Sequence, residues 1–449
     1  MVIGDNGNPV PAEVSGRRTS FQLADPTKMA FFWLSAFFVV YCARPEDWIP
    51  GLRYFPLAKI TAILAMWGLF NAMGKTKRTL KDLPKEAKIL LTMIGLLFVG
   101  AFFSPIWIGG AVNRTLDFSK IGIAWVLVFL LITTFDRLRR IIFIQAFSVV
   151  AVCAAAIVKG HNLPRLEGAL GGIYSNPNDL AFAIVLTLPF ALAFMVTSKN
   201  PVVKVFWLSG MLVMMVALFM TASRAGFIDL VIAGSVTLYF FAIKGRRFYL
   251  LVATFLVAAV VMGAFGGKLI DRFEALEGGS SDVRSAYGSY VDRMYLMSRA
   301  LDAIERYPIF GVGVKDFPTY SRIWHDVHMT YLQICAEGGI AVLILYLMFF
   351  WRGFKNLKIL RHTKNLDPDI VLYVWALQSS LVGFAVGACF APEAYQFFPY
   401  FAVAFTATLL RTVQEQELTP GTAPPPKKPR HFLEVYADHG TTGAVSPVR

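Results

Sequence analysis

The chain alternates between long apolar blocks and short polar segments over most of its length. About twelve blocks approach the ~20 residues that a helix needs to cross the ~30 Å hydrocarbon core of a bilayer. They do not show the ~10-residue alternating segments of a membrane β-barrel. The pattern therefore predicts an all-α, polytopic helical membrane protein with about 12 transmembrane helices. The predicted spans cover residues 29–43, 56–73, 87–103, 119–135, 141–158, 180–197, 203–221, 226–243, 248–265, 330–350, 371–391 and 397–411.

Composition supports the same class. The chain is 56% hydrophobic and 16% charged, and its mean hydropathy is +0.57. Soluble domains are nearer ~45–50% apolar and ~25% charged. These values exclude a soluble enzyme, a disordered chain and a fibrous protein.

Positive charge is concentrated in alternate polar segments. The chain has 43 Lys+Arg against 29 Asp+Glu, which gives a formal net charge of +14. Because short cytoplasmic loops of membrane proteins are rich in Lys and Arg, we expect both termini to be cytoplasmic. The membrane topology therefore explains the positive charge, and no nucleic-acid partner is expected. The clusters lie in residues 74–88, 136–140, 199–204, 244–247 and 351–370.

This alternation predicts five regions. Residues 1–28 form a cytoplasmic N-terminal tail, and residues 29–265 hold transmembrane helices 1–9. Residues 266–329 form one large loop on the opposite, periplasmic side, which we expect to cap the membrane mouth. Residues 330–411 hold transmembrane helices 10–12, and the Pro-rich residues 412–449 form a disordered cytoplasmic tail.

The sequence TASRAG, residues 221–226, predicts an anion site at the outward start of a helix. Ser223 suits the N-cap position and would place Arg224 in the first turn. Helix N-termini favour anions, so an Arg there is favourable when an anion joins it. The alternative is an interfacial Arg that reaches lipid headgroups.

The outward loop of residues 159–179 contains Arg165 and ends in Asn178 and Asp179. Asn178 and Asp179 are expected to cap the helix that starts near Leu180. The alternative interpretation is that this loop takes part in substrate contact.

The large loop adds Arg293, Arg299 and Arg322 as candidate anion ligands. For each of these arginines the alternative is a solvated surface charge.

Two of the six histidines, His325 and His328, are three residues apart where the large loop meets a helix. Tyr331 is expected on the helical face of His328. Glu337 is expected about 13 Å farther along the same helix if that helix is unbroken. A neutral His328 at a helix N-terminus is a candidate base. A zinc site lacks a third ligand at suitable spacing, so we expect no metal.

The sequence resembles the bacterial O-antigen ligase and O-antigen polymerase superfamily over roughly residues 160–350. Four stretches carry the resemblance: GIYSNPNDLA, TASRAG, DRMYLMSRALDAIERYPIFGVG and HMTYLQICAEGG. The resemblance implies that Arg224 and Arg293 hold the diphosphate of the donor and that His328 is the catalytic base. The chain departs from the family at Met329, where an Asn is usual.

The resemblance implies a metal-independent glycosyltransferase of lipopolysaccharide biosynthesis, without cofactors, in the bacterial inner membrane. It would transfer a glycan from an undecaprenyl-diphosphate-linked donor to an acceptor hydroxyl on the periplasmic face, with membrane lipids around it. The acceptor can be lipid A–core, a glycan or a protein, so a ligase, a polymerase and a protein O-oligosaccharyltransferase all remain open. A polysaccharide or lipid transporter is the alternative from another class.

Overall fold

A computed structural model describes residues 25–418, except residues 50, 73, 164, 167–169, 268, 269 and 271–282. These residues form helices joined by turns and short loops, and no strand occurs among them. The all-α expectation is confirmed for this part of the chain. The longer helices are α1 (Lys28–Ala43), α2 (Leu57–Asn71), α3 (Lys85–Ala101), α4 (Ile108–Leu131), α5 (Phe135–Gly160), α6 (Pro177–Thr197), α7 (Pro201–Met220), α8 (Arg224–Leu238), α9 (Tyr249–Phe265), α10 (Val283–Arg306), α11 (Phe317–Ser321), α12 (Thr330–Gly338), α13 (Ile340–His362), α14 (Pro368–Gly387) and α15 (Phe397–Glu417).

Among the residues that the structure describes, six helical segments are long and apolar enough to cross a membrane: α5, α6, α7, α8 with its continuation to Lys244, α13 and α14. Two shorter apolar helices cover Leu57–Asn71 and Tyr249–Ala264. Each of the twelve predicted spans overlaps a helix. The number twelve and the periplasmic side of the large loop stay predictions. The predicted tails lie largely outside the described residues, in 1–24 and 419–449.

The structure corrects two predicted boundaries. Residues 104–118, between the third and fourth predicted spans, were expected to form a loop, but α4 begins within them at Ile108. Residues 330–350 were expected to form one span, but the chain breaks at Gly339 into α12 and α13. Gly339 has φ +83°, and a Cβ there would lie 2.2 Å from the carbonyl oxygen of Ile309. The break therefore needs glycine for its backbone conformation and for the close approach.

Helix α6 lies at the centre of the bundle and packs against α5, α7, α8 and α14. Of its most apolar 18-residue stretch, 83% is buried, which explains why its sequence is apolar on all sides. Gly387 of α14 allows the closest approach, since a Cβ there would lie 2.3 Å from Phe182 and 2.8 Å from Asp229. Small residues at helix crossings permit such contact in membrane bundles.

Contacts at one end of the bundle join several of the positively charged segments. The side chain of Arg352 pairs with Glu86 at 2.9 Å, and Arg411 pairs with Asp82 at 3.6 Å. Arg139 donates to Thr197 at 3.3 Å. The opposite end carries α10, α11 and α12, so we call it the loop end. The predicted site residues lie there.

Candidate functional site

The predicted N-cap at Ser223 is present. Its hydroxyl oxygen accepts a hydrogen bond from the backbone N–H of Gly226 at 3.1 Å. Its hydroxyl group donates to the side-chain oxygen of Asn178 at 2.7 Å. Arg224 is the first residue of α8, as expected. The starts of α6 and α8 are therefore joined by their own polar residues.

The expectation for the start of α6 was wrong in one respect. The helix begins at Pro177, and its N-cap is Asn176, whose side chain accepts from the backbone N–H of Asn178 at 2.9 Å. Asn178 therefore does not cap α6, and its side-chain oxygen accepts a hydrogen bond from Ser223 instead. Two asparagines flank Pro177, and proline at the first helical position favours the earlier start.

Arg165 also joins this part of the site. Its Nε donates to the carbonyl oxygen of Thr221 at 3.0 Å, one residue before Ala222, which has φ +48°. The neighbouring backbone N–H of Leu166 donates to Met220 at 3.3 Å. Arg165 therefore holds the turn that precedes Arg224 by binding one of the carbonyl groups at the end of α7.

The large loop is fastened to α12 through its glycine turn. The backbone N–H groups of Val312 and Gly313 donate to the carbonyl oxygens of Ala336 (2.9 Å) and Glu337 (3.0 Å). These carbonyls lie in the last turn of α12 and have no partner within the helix. Gly311, with φ +67°, approaches so closely that a Cβ would lie 2.4 Å from the carbonyl carbon of Glu337. Gly311 and Gly313 therefore allow the backbone of the loop to pack directly against the end of α12.

The loop is also fastened to the start of α4. The hydroxyl of Ser104 donates to the carbonyl of Val312 at 2.7 Å and to Asp316 at 3.1 Å. Arg114 pairs with the buried carboxylate of Asp316 at 2.5 Å. Because the Asp316 carboxylate is buried, its contacts with Ser104 and Arg114 require a fixed geometry, and they hold the large loop against the start of α4.

His328 lies in the segment between α11 and α12, two residues before α12 starts. This corrects the expectation that Tyr331 shares a helical face with it. Its Nδ1 is buried and has no hydrogen-bond partner among the described residues. The ring of His325 lies 6.5 Å away, centroid to centroid. A half-buried imidazole with an unused nitrogen is a chemically available group.

The electrostatic surroundings keep His328 neutral. Burial, together with the positive charges of Arg293 and His325, lowers the pKa of His328 to about 4. The neutral state was expected from a helix N-terminus, but burial is the larger cause. Arg293 on α10 is therefore close enough to act on the imidazole. This pair brings a cationic group and a proton acceptor to one place.

Thr330 anchors the His328 segment to the connection between α14 and α15. Its backbone N–H donates to the carbonyl of Ala388 at 2.8 Å. Its hydroxyl donates to the carbonyl of Ala391 at 2.6 Å and accepts from the backbone N–H of Glu393 at 2.9 Å. Thr330 is fully buried. These three bonds fix where His328 lies relative to the end of α14.

The two other predicted arginines of the large loop differ in their surroundings. Arg299 pairs with Asp302 at 2.9 Å and lies over the ring of Tyr320, 4.8 Å from its centroid. Arg322 is exposed and has φ +63°. These contacts place Arg299 within the fold of the large loop.

The remaining two predicted residues lie on α12. Tyr331 donates its hydroxyl to the carbonyl of Ala385 at 2.8 Å, which ties α12 to α14. The carboxylate of Glu337 is buried, and it lies near the hydroxyl of Tyr395. We conclude that Tyr331 joins helices, whereas Glu337 faces the interior.

Two carboxyl groups at this end were not predicted as site residues. Asp179 was expected as a helix cap, with a share in substrate contact as the alternative, and Glu393 lies in a short connection for which no role was predicted. The two interact with each other. Nothing in the local sequence around Glu393 indicates this contact, since 213 positions separate the two residues in the chain. Within the described residues, no group of three or more His, Cys, Asp or Glu side chains is arranged to hold a metal ion.

Comparison with known protein families finds a match within the chain. The family model described as O-antigen ligase matches residues 209–347. The predicted O-antigen ligase resemblance is thereby confirmed. The matched segment contains Arg224, Arg293 and His328, whereas Asn178 and Glu393 lie outside it. A search among curated proteins finds no significant match. The O-antigen ligase match supports a membrane enzyme of the ligase or polymerase type.

Proposed function

We propose that the protein is an O-antigen ligase-like membrane glycosyltransferase. It transfers a glycan from undecaprenyl diphosphate to a hydroxyl group of lipid A–core or another surface acceptor, on the periplasmic face of the inner membrane. The proximity of Arg293 to the neutral imidazole of His328 carries this proposal. The family match over residues 209–347 supports the same reaction class.

The residues divide the chemistry into two tasks. Arg224 and Arg293 bind the diphosphate, because guanidinium groups form paired hydrogen bonds with phosphate oxygens. His328 accepts the proton of the acceptor hydroxyl as its oxygen bonds to the anomeric carbon. The bond from that carbon to the phosphate oxygen breaks, and undecaprenyl diphosphate leaves with the electron pair. The proton on His328 then returns to solvent or to the leaving group.

Donor binding also changes the pKa of His328. A pKa of about 4 makes free His328 a weak base. A diphosphate that pairs with Arg293 offsets the positive charge that lowers this pKa. The pKa of His328 therefore rises when the donor is bound, toward the range where general-base catalysis is most efficient. The order of events is donor first and proton transfer second.

A reconstitution experiment tests the proposal. The purified protein in lipid nanodiscs receives an undecaprenyl-diphosphate-linked oligosaccharide and rough lipopolysaccharide, and the acceptor is examined for a mass shift. Transfer that persists in EDTA is expected. Absence of transfer by wild type, with donor and acceptor confirmed intact by a known ligase, contradicts the proposal.

A deletion strain separates the members of this class. Long carrier-linked chains that accumulate while the acceptor loses them indicate a ligase. Products with a single repeat unit indicate a polymerase, and loss of glycan from proteins indicates a protein O-oligosaccharyltransferase.

A further inference from the structure

A small cavity lies at the loop end, between the start of α6 and the connection from α14 to α15. Its polar lining comes from Asp179, Glu393 and Gln396, and its aromatic lining includes Phe182 and Phe398. The enclosed part has room for a group of about water size. The cavity lies outside the residues matched by the family model and was not among the predicted site features.

The carboxyl groups of Asp179 and Glu393 lie next to each other in the lining of this cavity. When they form a side-chain hydrogen bond with each other, one of the two carboxyl groups carries the proton. Burial raises the pKa of Glu393 well above its usual value, and the charge of Asp179 raises it further. The charge of Lys315 lowers the pKa of Glu393, whereas the charge of Asp229 raises it.

Each carboxyl group has one oxygen that remains without a partner. Oδ1 of Asp179 and Oε1 of Glu393 are buried and accept no hydrogen bond from any described residue. Glu393 as a whole is 3% exposed. Buried acceptors without a donor cost free energy, so a ligand that supplies donors is favoured here.

We propose that this cavity binds a hydroxyl group of a glycan. One hydroxyl lies beside the carboxyl pair and donates its proton to one of the two unpartnered oxygens, while the rest of the sugar lies at the mouth. Gln396 offers a further donor and acceptor, because it is the N-cap residue of α15 but its side chain makes no capping bond. The apolar faces of Phe182 and Phe398 suit the C–H groups of a sugar ring.

The chemistry of the cavity discriminates among ligands. Phosphate is disfavoured because the negative charge of the carboxyl pair repels an anion. A hydroxyl group can donate to a carboxylate and also accept from a protonated carboxyl, so it fits both states of the pair.

The position of the cavity links it to the proposed reaction. The backbone N–H of Glu393 donates to Thr330, which is two residues from His328. The glycan subsite therefore adjoins the segment that carries the candidate base. The inference rests on the proposed function for its ligand, which comes either from the donor glycan or from the acceptor glycan.

Two soluble probes distinguish these sources. The first is core oligosaccharide released from lipid A, and the second is the repeat-unit glycan cleaved from its carrier. Binding of each to the full-length protein in nanodiscs is measured by saturation-transfer NMR. The variants are Glu393→Gln, Asp179→Asn and Gln396→Leu. Glu305→Gln, an exposed carboxyl change on α10, is the matched control.

We expect at least one probe to bind about tenfold more weakly to Glu393→Gln and Gln396→Leu, with binding to Glu305→Gln unchanged. The KM of the corresponding substrate in the transfer assay should rise by a similar factor while kcat changes little. The first probe identifies an acceptor subsite and the second a donor subsite. If Asp179→Asn or Glu393→Gln does not fold, Gln396→Leu decides alone, since it leaves the carboxyl pair intact.

The two proposals fail in different ways. Wild-type transfer together with unchanged binding and unchanged KM in the folded cavity variants overturns the subsite and leaves the proposed function standing. Probe binding that weakens in the cavity variants of a protein without transfer activity overturns the proposed function alone. Probe binding that depends on an added divalent cation replaces the hydroxyl subsite with a cation site and overturns the inference.

Discussion

Ser223 and Asn178 are joined by a hydrogen bond of 2.7 Å between the start of α8 and the start of α6. Ser223 also caps α8 through Gly226. One hydroxyl thus performs two tasks, since it donates across helices and accepts within its own turn. Because Arg224 follows immediately, the bond sets where the first turn of α8, which carries Arg224, lies relative to α6.

Replacement of Ser223 is expected to weaken both stability and donor binding. Ser223→Ala removes the cap, which costs about 0.5–2 kcal/mol, and releases the start of α6. Asn178→Ala removes only the bond between the helices and should cost less. We expect the thermal midpoint to fall in the order Ser223→Ala, then Asn178→Ala, and the KM for the donor to rise several-fold in both.

Ser235→Ala on the exposed face of α8 is the control, because that hydroxyl bonds only its own helix at Val231 within the described structure. Equal losses in Ser223→Ala and Ser235→Ala would contradict the linking role of Ser223. A double-mutant cycle between positions 178 and 223 measures the coupling directly.

Thr330 is the second residue whose hydroxyl joins distant parts of the site. Thr330→Val keeps the shape but removes the donor to Ala391 and the acceptor for Glu393. We expect kcat to fall about tenfold or more, because a small displacement of His328 is costly for catalysis. Thr330→Ser keeps the hydroxyl and should retain most of the activity. Equal kcat values for the two variants would remove Thr330 as a positioning residue.

His328→Ala tests the base. Loss of a positioned general base typically lowers the rate by ~10²–10⁴-fold. The KM for the donor should change little, because the diphosphate is held by arginines. His362→Ala is the control, as this exposed histidine bonds the backbone of its own helix at Lys358. Transfer at the wild-type rate in folded His328→Ala protein would exclude His328 from proton transfer.

The pH dependence follows from the surroundings of His328. The free enzyme has a lowered His328 pKa of about 4, and Arg293 contributes to the lowering. Protonation removes the base, so kcat/KM falls as the pH drops through the pKa of the free enzyme. Arg293→Gln removes a positive charge and should move this acid limb to higher pH, toward the ordinary histidine value.

Arg306→Gln on the same helix is the control for this shift. Its guanidinium pairs with Asp302 and is exposed, so the acid limb should stay in place. An acid limb that moves equally in both variants indicates a general charge effect, and one that moves in neither removes Arg293 from the environment of the base.

Local sequence was sufficient for some of these features and insufficient for others. The Ser223 cap follows from residue type and spacing alone, and the helical class follows from apolar block length. Asn178 was misassigned because Asn176 satisfies the same capping rule two residues earlier. The rule is local and cannot choose between neighbouring asparagines without the geometry at Pro177.

Local sequence rules do not predict contacts between residues that are distant in the chain. Glu393 joins the site through Asp179 and Thr330, which are remote in the chain, and its own short connection has no motif. The helix break at Gly339 likewise depends on Ile309 approaching from another segment. The membrane class could be read from pattern, whereas the partners of buried polar groups depend on tertiary packing.

Arg78 is a buried guanidinium at the end of the bundle opposite the site. It is 1% exposed, and its Nη1 donates to the carbonyl oxygens of Phe129 (3.0 Å) and Ile132 (2.7 Å) at the end of α4. Nη2 donates to the hydroxyl of Thr412 at 3.0 Å and pairs with Glu415 of α15 at 3.0 Å. One side chain therefore fastens the ends of α4 and α15 together.

Arg78→Lys is expected to destabilise the bundle without changing the chemistry at the loop end. A lysine has one ammonium group, which cannot reach the carbonyl oxygens of α4 and the carboxylate of α15 at once. Unpaired buried partners then cost about 2–4 kcal/mol, so the thermal midpoint in nanodiscs should fall by several degrees. Transfer activity per folded molecule should stay near wild type, since Arg78 is remote from His328. Arg140→Lys, an exposed change at the same end, should leave the midpoint unchanged. Equal midpoints for the two variants would mean that the buried contacts of Arg78 contribute little to stability.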